Sequence, residues 1–266
     1  MAIETSWLIG SAFMPTQNLT IDGNPYTIPA GNYYLYHPTG ALSLITTLDN
    51  ILDDAGVQGH NVVIQKNRRV AVLYDEGWEF LMSWPANNIL RDLLGFTGDI
   101  GQSPPSDVAG TISPLLWSPG KTESPQESPF LCLGRTIYDT RFGTAPDGTQ
   151  VADSHHSQVV NTYTWSHVAT GRFQTPNLGF GGQYVRFFDQ VLRRAGKFHL
   201  WHRVDEDTNS SDAVDFDLYD SLGPYGYRPT RGGVTWDFQR SAGFTTVNRY
   251  NNVSLDCLVV PEWEAP

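Results

Sequence analysis

The chain has 266 residues, of which 40% are hydrophobic and 12% aromatic; that is enough apolar mass to bury a core and excludes wholesale disorder. Its formal charge is −11 with a pI near 4.9. Nucleic-acid binders displace counterions with a basic stripe, and Arg68–Arg69 and Arg193–Arg194 are only isolated pairs, so specific nucleic-acid binding is not expected.

Residues 1–38 read as short strands and turns, with a turn at Asp22-Gly23-Asn24-Pro25 and strand composition in "GNYYLYH" (31–37). Residues 41–55 form the first helix: Leu44, Ile45, Leu48, Ile51, Leu52 and Ala55 make an apolar stripe that Gly56 ends. "NVVIQKNRRVAVLYD" (61–75) reads as a hairpin with its tip at Lys66-Asn67-Arg68. "WEFLMSW" (78–84) reads as the next strand, with Trp78, Phe80, Met82 and Trp84 on one face. A second helix follows at once. Asn87 or Asn88 caps its start, Ile89, Leu90, Leu93 and Leu94 share a face, Gly95 ends it left-handed, and Phe96 folds back on Leu90. Residues 31–96 thus predict helices packed on one face of a small sheet.

Residues 101–130 change character. Six prolines, Pro104, Pro105, Pro114, Pro119, Pro125 and Pro129, exclude a helix interior or a central strand. The embedded Leu115, Leu116 and Trp117 are too apolar for a free tether. This stretch is a linker or a docking arm, held on its own chain or on a neighbouring subunit. Beyond it, "FLCLGRTIYDTRF" (130–142), two strands near 157–166 and 167–173, "KFHLWHRV" (197–204), "AVDFDLYD" (213–220), "GVTWDFQRS" (233–241) and "NVSLDCLVV" (252–260) have strand character. A helix spans 181–196, with Tyr184, Phe187, Phe188, Val191 and Leu192 along one face and Gly196 at its end. The fold expected is α+β and predominantly β: small sheets each packed by a short helix. The expected units are an α+β domain (1–100), a proline-rich linker or docking arm (101–130) and a β-rich domain with one helix (131–266).

Candidate chemistry is sparse. Asp205, Glu206, Asp207, Asn209 and Asp212 offer hard oxygens for Ca²⁺, but without the spacing of an EF-hand loop. A polar hairpin loop explains them better. His155 and His156 beside Asp153, with His167 further on, lack a third ligand at a telling distance. His199 and His202 are oddly spaced and point to opposite faces of a strand. All five histidines read as structural or surface residues. "GFGGQ" (179–183) is not a phosphate loop, and no GxSxG stands in the chain. Trp201, Tyr225, Tyr227 and Trp236 could stack on sugars, although burial is the commoner fate of strand aromatics. Cys132 and Cys257 have no CxxC partner, and either two buried thiols or a disulfide is open. The amino-terminal stretch has neither a signal-peptide nor a membrane-span pattern, so folding in a cytoplasm without membrane insertion is expected. No cofactor, metal or catalytic residue is assigned.

The order of "FLMSW", "LRDLLGFTGDI" and, some twenty residues on, "LLWSPGK" resembles virion structural proteins of tailed bacteriophages. "YVRFFDQVLRRAGKFHLWHRV", a helix feeding an aromatic strand, is similar to their second half. The resemblance covers roughly residues 31–120 and 180–260. It implies an assembly role, most specifically a tail component working as a homo-oligomeric ring, with copies of itself and neighbouring virion proteins as partners. A receptor- or carbohydrate-binding module at the tail tip is the alternative. The assembly residues it singles out are Leu90, Leu94, Gly95, Phe96, Leu115, Leu116 and Trp117.

Overall fold

The computed structural model describes residues 3–38, 40, 42–65, 68–74, 80–101, 108–119, 131–169, 183–205, 213–214, 216, 220–221, 226–239 and 249–260. The strands run β1 (Ile3–Met14), β2 (Gln17–Ile21), β3 (Asn24–Ile28), β4 (Gly31–Tyr34), β5 (His60–Ile64), β6 (Arg69–Tyr74), β7 (Leu81–Ser83), β8 (Ile100–Gly101), β9 (Val108–Ile112) and β10 (Leu116–Trp117). They continue as β11 (Leu131–Thr144), β12 (Gln150–Ala169), β13 (Phe198–Asp205), β14 (Asp220–Ser221), β15 (Gly226–Gln239) and β16 (Arg249–Val260). Helices α1 (Leu44–Asp54), α2 (Ile89–Leu94) and α3 (Gln183–Phe187) complete the described elements, with α3 running into a π turn over Phe188–Leu192. The fold is α+β and predominantly β, in several sheets each touched by a short helix. Among the described residues, no helix is long and apolar enough to cross a membrane.

Every pairing between the described strands is antiparallel. A nine-stranded sheet has the order β10-β1-β13-β15-β16-β12-β11, with β4 added on β1 and β14 on β13. Four strands form β3-β2-β7-β8, and three form β5-β6-β9. The first hairpin is a two-residue turn: Ile21 faces Asn24 while Asp22 and Gly23 both take positive φ (50° and 81°), the turn that matches strand twist. β1 crosses the chain's halves, pairing Ile3–Gly10 with Asp205–Phe198 of β13. The large sheet therefore draws strands from 1–100, 101–130 and 131–266 alike.

Apolar side chains from both halves form a continuous core, from Trp7 and Leu8 through Leu48, Leu94 and Trp117 to Leu255 and Cys257. Trp165 of β12 reaches back to β1, its indole N–H donating to Ser6 Oγ (3.1 Å), and lies 6.0 Å from the Trp117 ring. Phe187 packs on Trp117 and on Phe198. Cys257 is buried, its Sγ 3.7 Å from Leu255 O; the side chain of Cys132 lies outside the described residues.

Several expectations are corrected. β7 continues the alternation expected of "WEFLMSW", with Phe80, Met82 and Trp84 buried and Leu81 half exposed, but it joins β2 and β8, not the β5–β6 hairpin; Trp78 lies outside the described residues. The two strands placed near 157–166 and 167–173 are one 20-residue strand, β12. Val214 and Phe216 are buried, yet neither lies in a strand: Ala213 makes an isolated bridge to Gln65, and Asp220–Ser221 form β14; residues 215 and 217–219 lie outside the described residues. The helix expected over 181–196 turns π-helical after Phe187 and ends at Leu192, with Arg193 N donating to Phe188 O and Gly196 N to Val191 O. The extra residue per turn keeps Phe187, Val191 and Leu192 inside and brings Phe188 to the surface. Ala195, not Gly196, takes the left-handed φ of 52°.

Candidate functional site: the joint between α2 and the arm

Asn88 caps α2. Its Oδ1 accepts from Arg91 N (2.9 Å), and its Nδ2 donates to Asn18 O of β2 (2.8 Å). Gln17 Oε1 accepts the Ile89 amide (2.9 Å). Two otherwise orphaned helix amides are thereby satisfied, and the helix start is tied to β2. Leu90, Leu93 and Leu94 are buried as the spacing predicts, but Ile89, expected on the same face, is 37% exposed. It is the first helical residue, and the tie to Gln17 leaves its side chain outward.

The carboxyl end closes as a Schellman motif. Gly95, at φ 89°, donates to Asp92 O, and Phe96 donates to Arg91 O. Phe96 is buried and stacks on Trp84, its ring centroid 6.4 Å away. The arm then binds what the helix exposes. Thr111 donates to Gly95 O twice, through its amide (2.7 Å) and its hydroxyl (2.8 Å). Ser113 Oγ donates to Leu93 O (2.5 Å) and accepts the Leu115 amide (3.1 Å). Leu115 O accepts Gly10 N (2.7 Å), and Leu116 and Trp117 pair with Ile9 and Leu8 of β1. Leu115, Leu116 and Trp117 are 0%, 0% and 1% exposed. The docking arm, in its described part, lies on its own chain. β10 is a sheet edge flanked by Pro114 and Pro119, which is where proline tolerates a strand. Arg186 of α3 joins from the other side, donating to Ile112 O (3.0 Å); burial lowers its pKa from the usual arginine value, against the pull of Asp92. All seven residues singled out in the sequence thus belong to one buried joint or its immediate continuation.

Among the described residues, Asp49, Asp53 and His60 are the group whose donors could chelate a cation. The i, i+4 aspartates on α1 with a histidine just beyond the helix were a legible signal that the sequence reading passed over. His60, its side chain 4% exposed, lies 3.5 Å from Asp49 Oδ1 and 3.7 Å from Asp53 Oδ1. Both ring nitrogens already meet carbonyl oxygens: Nδ1 faces Val57 O (2.6 Å) and Nε2 faces Asp49 O (3.1 Å). A metal on Nε2 needs the lone pair and the space that this contact takes. Asp49 Oδ1 also accepts the Val62 amide (3.0 Å). The group fits a pin between α1 and β5 better than a metal site.

His199 is buried against Tyr34 and His37, with ring centroids 4.6 and 5.3 Å away. On the opposite face of β13, His202 Nδ1 lies 2.8 Å from Ser6 Oγ. Ser6 is 2% exposed and already holds Trp165, so this serine–histidine contact knits the sheet and is closed to a substrate. Trp201 is buried between Tyr36 and Phe216 and offers no platform for a sugar. Tyr225, residues 206–212 of the acidic loop and 179–182 of "GFGGQ" lie outside the described residues, as do the side chains of Asp153, His155, His156, His167, Tyr227 and Trp236. A shallow hollow of about 420 Å³ beside α1 is lined by Thr27, Thr46, Thr47 and Asn50 among others, with no titratable group. No protein-family model, no curated protein and no solved structure matches the chain.

Proposed function

We propose that this protein is a structural subunit of a tailed-phage particle, a tail component made in the host cytoplasm that assembles as a homo-oligomeric ring. One observation carries the reading. The two segments that bear the resemblance, the "LLGFTG" helix end and the Leu-Trp element, fold onto each other as a single joint. Backbone carbonyls, two hydroxyls and buried Leu, Phe and Trp side chains hold it. Such a joint transmits position and force; its parts suit mechanics rather than turnover. An acidic, lysine-poor surface, with only Lys66, Lys121 and Lys197 in the chain, suits a subunit that must stay soluble before assembly.

Native mass spectrometry of the purified, concentrated chain tests this. A discrete closed oligomer is the expected result. A monomer at every concentration, or a particle preparation in which the chain is absent by peptide mapping, overturns the proposal.

A further inference from the structure

The ring of His60 makes two bonds, and together they fix its protonation. Nδ1 stands 2.6 Å from Val57 O and Nε2 stands 3.1 Å from Asp49 O. A backbone carbonyl oxygen offers lone pairs and no hydrogen, so each ring nitrogen must donate. A neutral imidazole carries one N–H; the imidazolium carries two. In either neutral tautomer a ring lone pair would face a carbonyl oxygen on a side chain only 4% exposed, where water does not relieve it. The contact to Val57 is also short for a neutral N–H···O bond and suits a charged donor.

The surroundings accept a cation. Asp49 Oδ1 lies 3.5 Å and Asp53 Oδ1 3.7 Å from Nε2. Asp54 follows on the same helix, and the last turn of α1 holds no basic residue. A helix C-terminus carries partial negative charge that a histidine cation offsets. No lysine or arginine precedes Lys66 in the chain, so His60 is the cation that the local sequence supplies to this end. Across the strand pair, β6 places Tyr74 opposite His60; its side chain lies outside the described residues. The carbonyl that Nδ1 binds belongs to the helix stop itself: Val57 N closes α1 on Leu52 O while Val57 O takes His60. Asp49 Oδ1 accepts Val62 N of β5 as well (3.0 Å). One ring thus ties the last turn of α1 and the loop after it to the β5–β6 hairpin.

We infer that His60 is an imidazolium in the folded chain, and that the tie between α1 and β5 is a latch set by the proton it holds. Removing that proton removes one of the two donors, turns a lone pair on a carbonyl, and leaves Asp49 and Asp53 without their counter-ion at the negative end of α1. A proton kept by the folded chain and released by the unfolded one makes stability fall as pH rises. The contribution is complete below the ordinary histidine value of about 6.5 and is lost above it as His60 gives up its proton. The latch concerns one buried side chain and does not rest on the virion reading.

Ring-nitrogen NMR on the full, unaltered chain tests the assignment, with His60 identified from its own backbone so that no variant has to fold. At about pH 7, where an exposed histidine is mostly neutral, both His60 nitrogens are expected at the similar shifts of an imidazolium. Two widely separated shifts, the mark of a neutral tautomer, overturn the inference. Urea unfolding tests the latch. His60→Gln keeps a donor and cannot take up a proton. Relative to the unaltered chain, its unfolding constant is expected to rise about tenfold more at about pH 5 than at about pH 8. Contributions of the other histidines are common to both proteins and cancel in that comparison. An equal penalty at the two pH values makes the ring a pin indifferent to protons and overturns the latch.

Discussion

Helices α1 and α2 end in the same way and in different company. In α1, Gly56 donates to Asp53 O and Val57 to Leu52 O; in α2, Gly95 and Phe96 repeat those bonds to Asp92 and Arg91. Both glycines are left-handed, at φ 75° and 89°. A Cβ on Gly56 would meet nothing, but one on Gly95 would overlap the Thr111 carbonyl oxygen. One glycine stops a helix. The other stops a helix and lets a second segment lie against it. Identical local signals therefore hide different roles, and the role is set by what arrives from elsewhere in the chain.

The largest effect expected at this joint comes from charge. Leu94→Asp or Phe96→Asp buries a carboxylate in sites 0% and 4% exposed and costs more than about 4 kcal/mol; size-exclusion chromatography should find misfolded, unassembled protein. Soluble, assembled variants would show that the joint does not hold the fold. Next comes the direct comparison of the glycines. Gly95→Ala combines a strained φ with overlap against backbone and should cost about 3 kcal/mol, whereas Gly56→Ala carries strain alone, about 1 kcal/mol. Equal losses in urea unfolding would erase the distinction between the two ends. The smallest effect lies far from both helices, at the turn between β11 and β12. Asp147 accepts the Thr149 amide (2.9 Å), and this bond lowers its pKa below the usual aspartate value. A depressed folded pKa contributes order above the ordinary value of about 3.9, lost as pH falls through the lowered one. The Thr149 amide resonance should move in that acid window with little change in global stability, and a shift near neutral pH would contradict the assignment.

The helices α1 and α2 were legible because period and terminal glycine agree, and for α2 the cap at Asn88 as well; most of their apolar stripe falls inward, with Ile89 the exception, while the Ser43 cap, which starts α1 at Leu44, was not read. Sheet membership was not. β5, β6 and β7 follow one another along the chain yet enter two sheets, because pairing is decided by distant strands that carry no local mark. The alternation of Val214 and Phe216 reads as a strand, yet both residues are buried outside any described strand. Likewise, the apolar Leu115–Trp117 announced docking without naming the surface. That surface is β1, whose own apolar residues suit several neighbours equally. The π turn was invisible since its i→i+5 bonds depend on packing, not composition.

The place of β1 has a consequence for the birth of the molecule. This strand is made before all of its partners: it bonds to β4 soon after, to β10 later and to β13 only when Asp205 has been made. At roughly 5–20 residues per second, translation needs on the order of 10–40 s to reach that point. Throughout that interval Trp7, Leu8 and Ile9, buried in the finished sheet, have an open flank. Exposed apolar surface on a strand waiting for its partner invites aggregation, so synthesis, rather than final stability, is where overproduction should first fail.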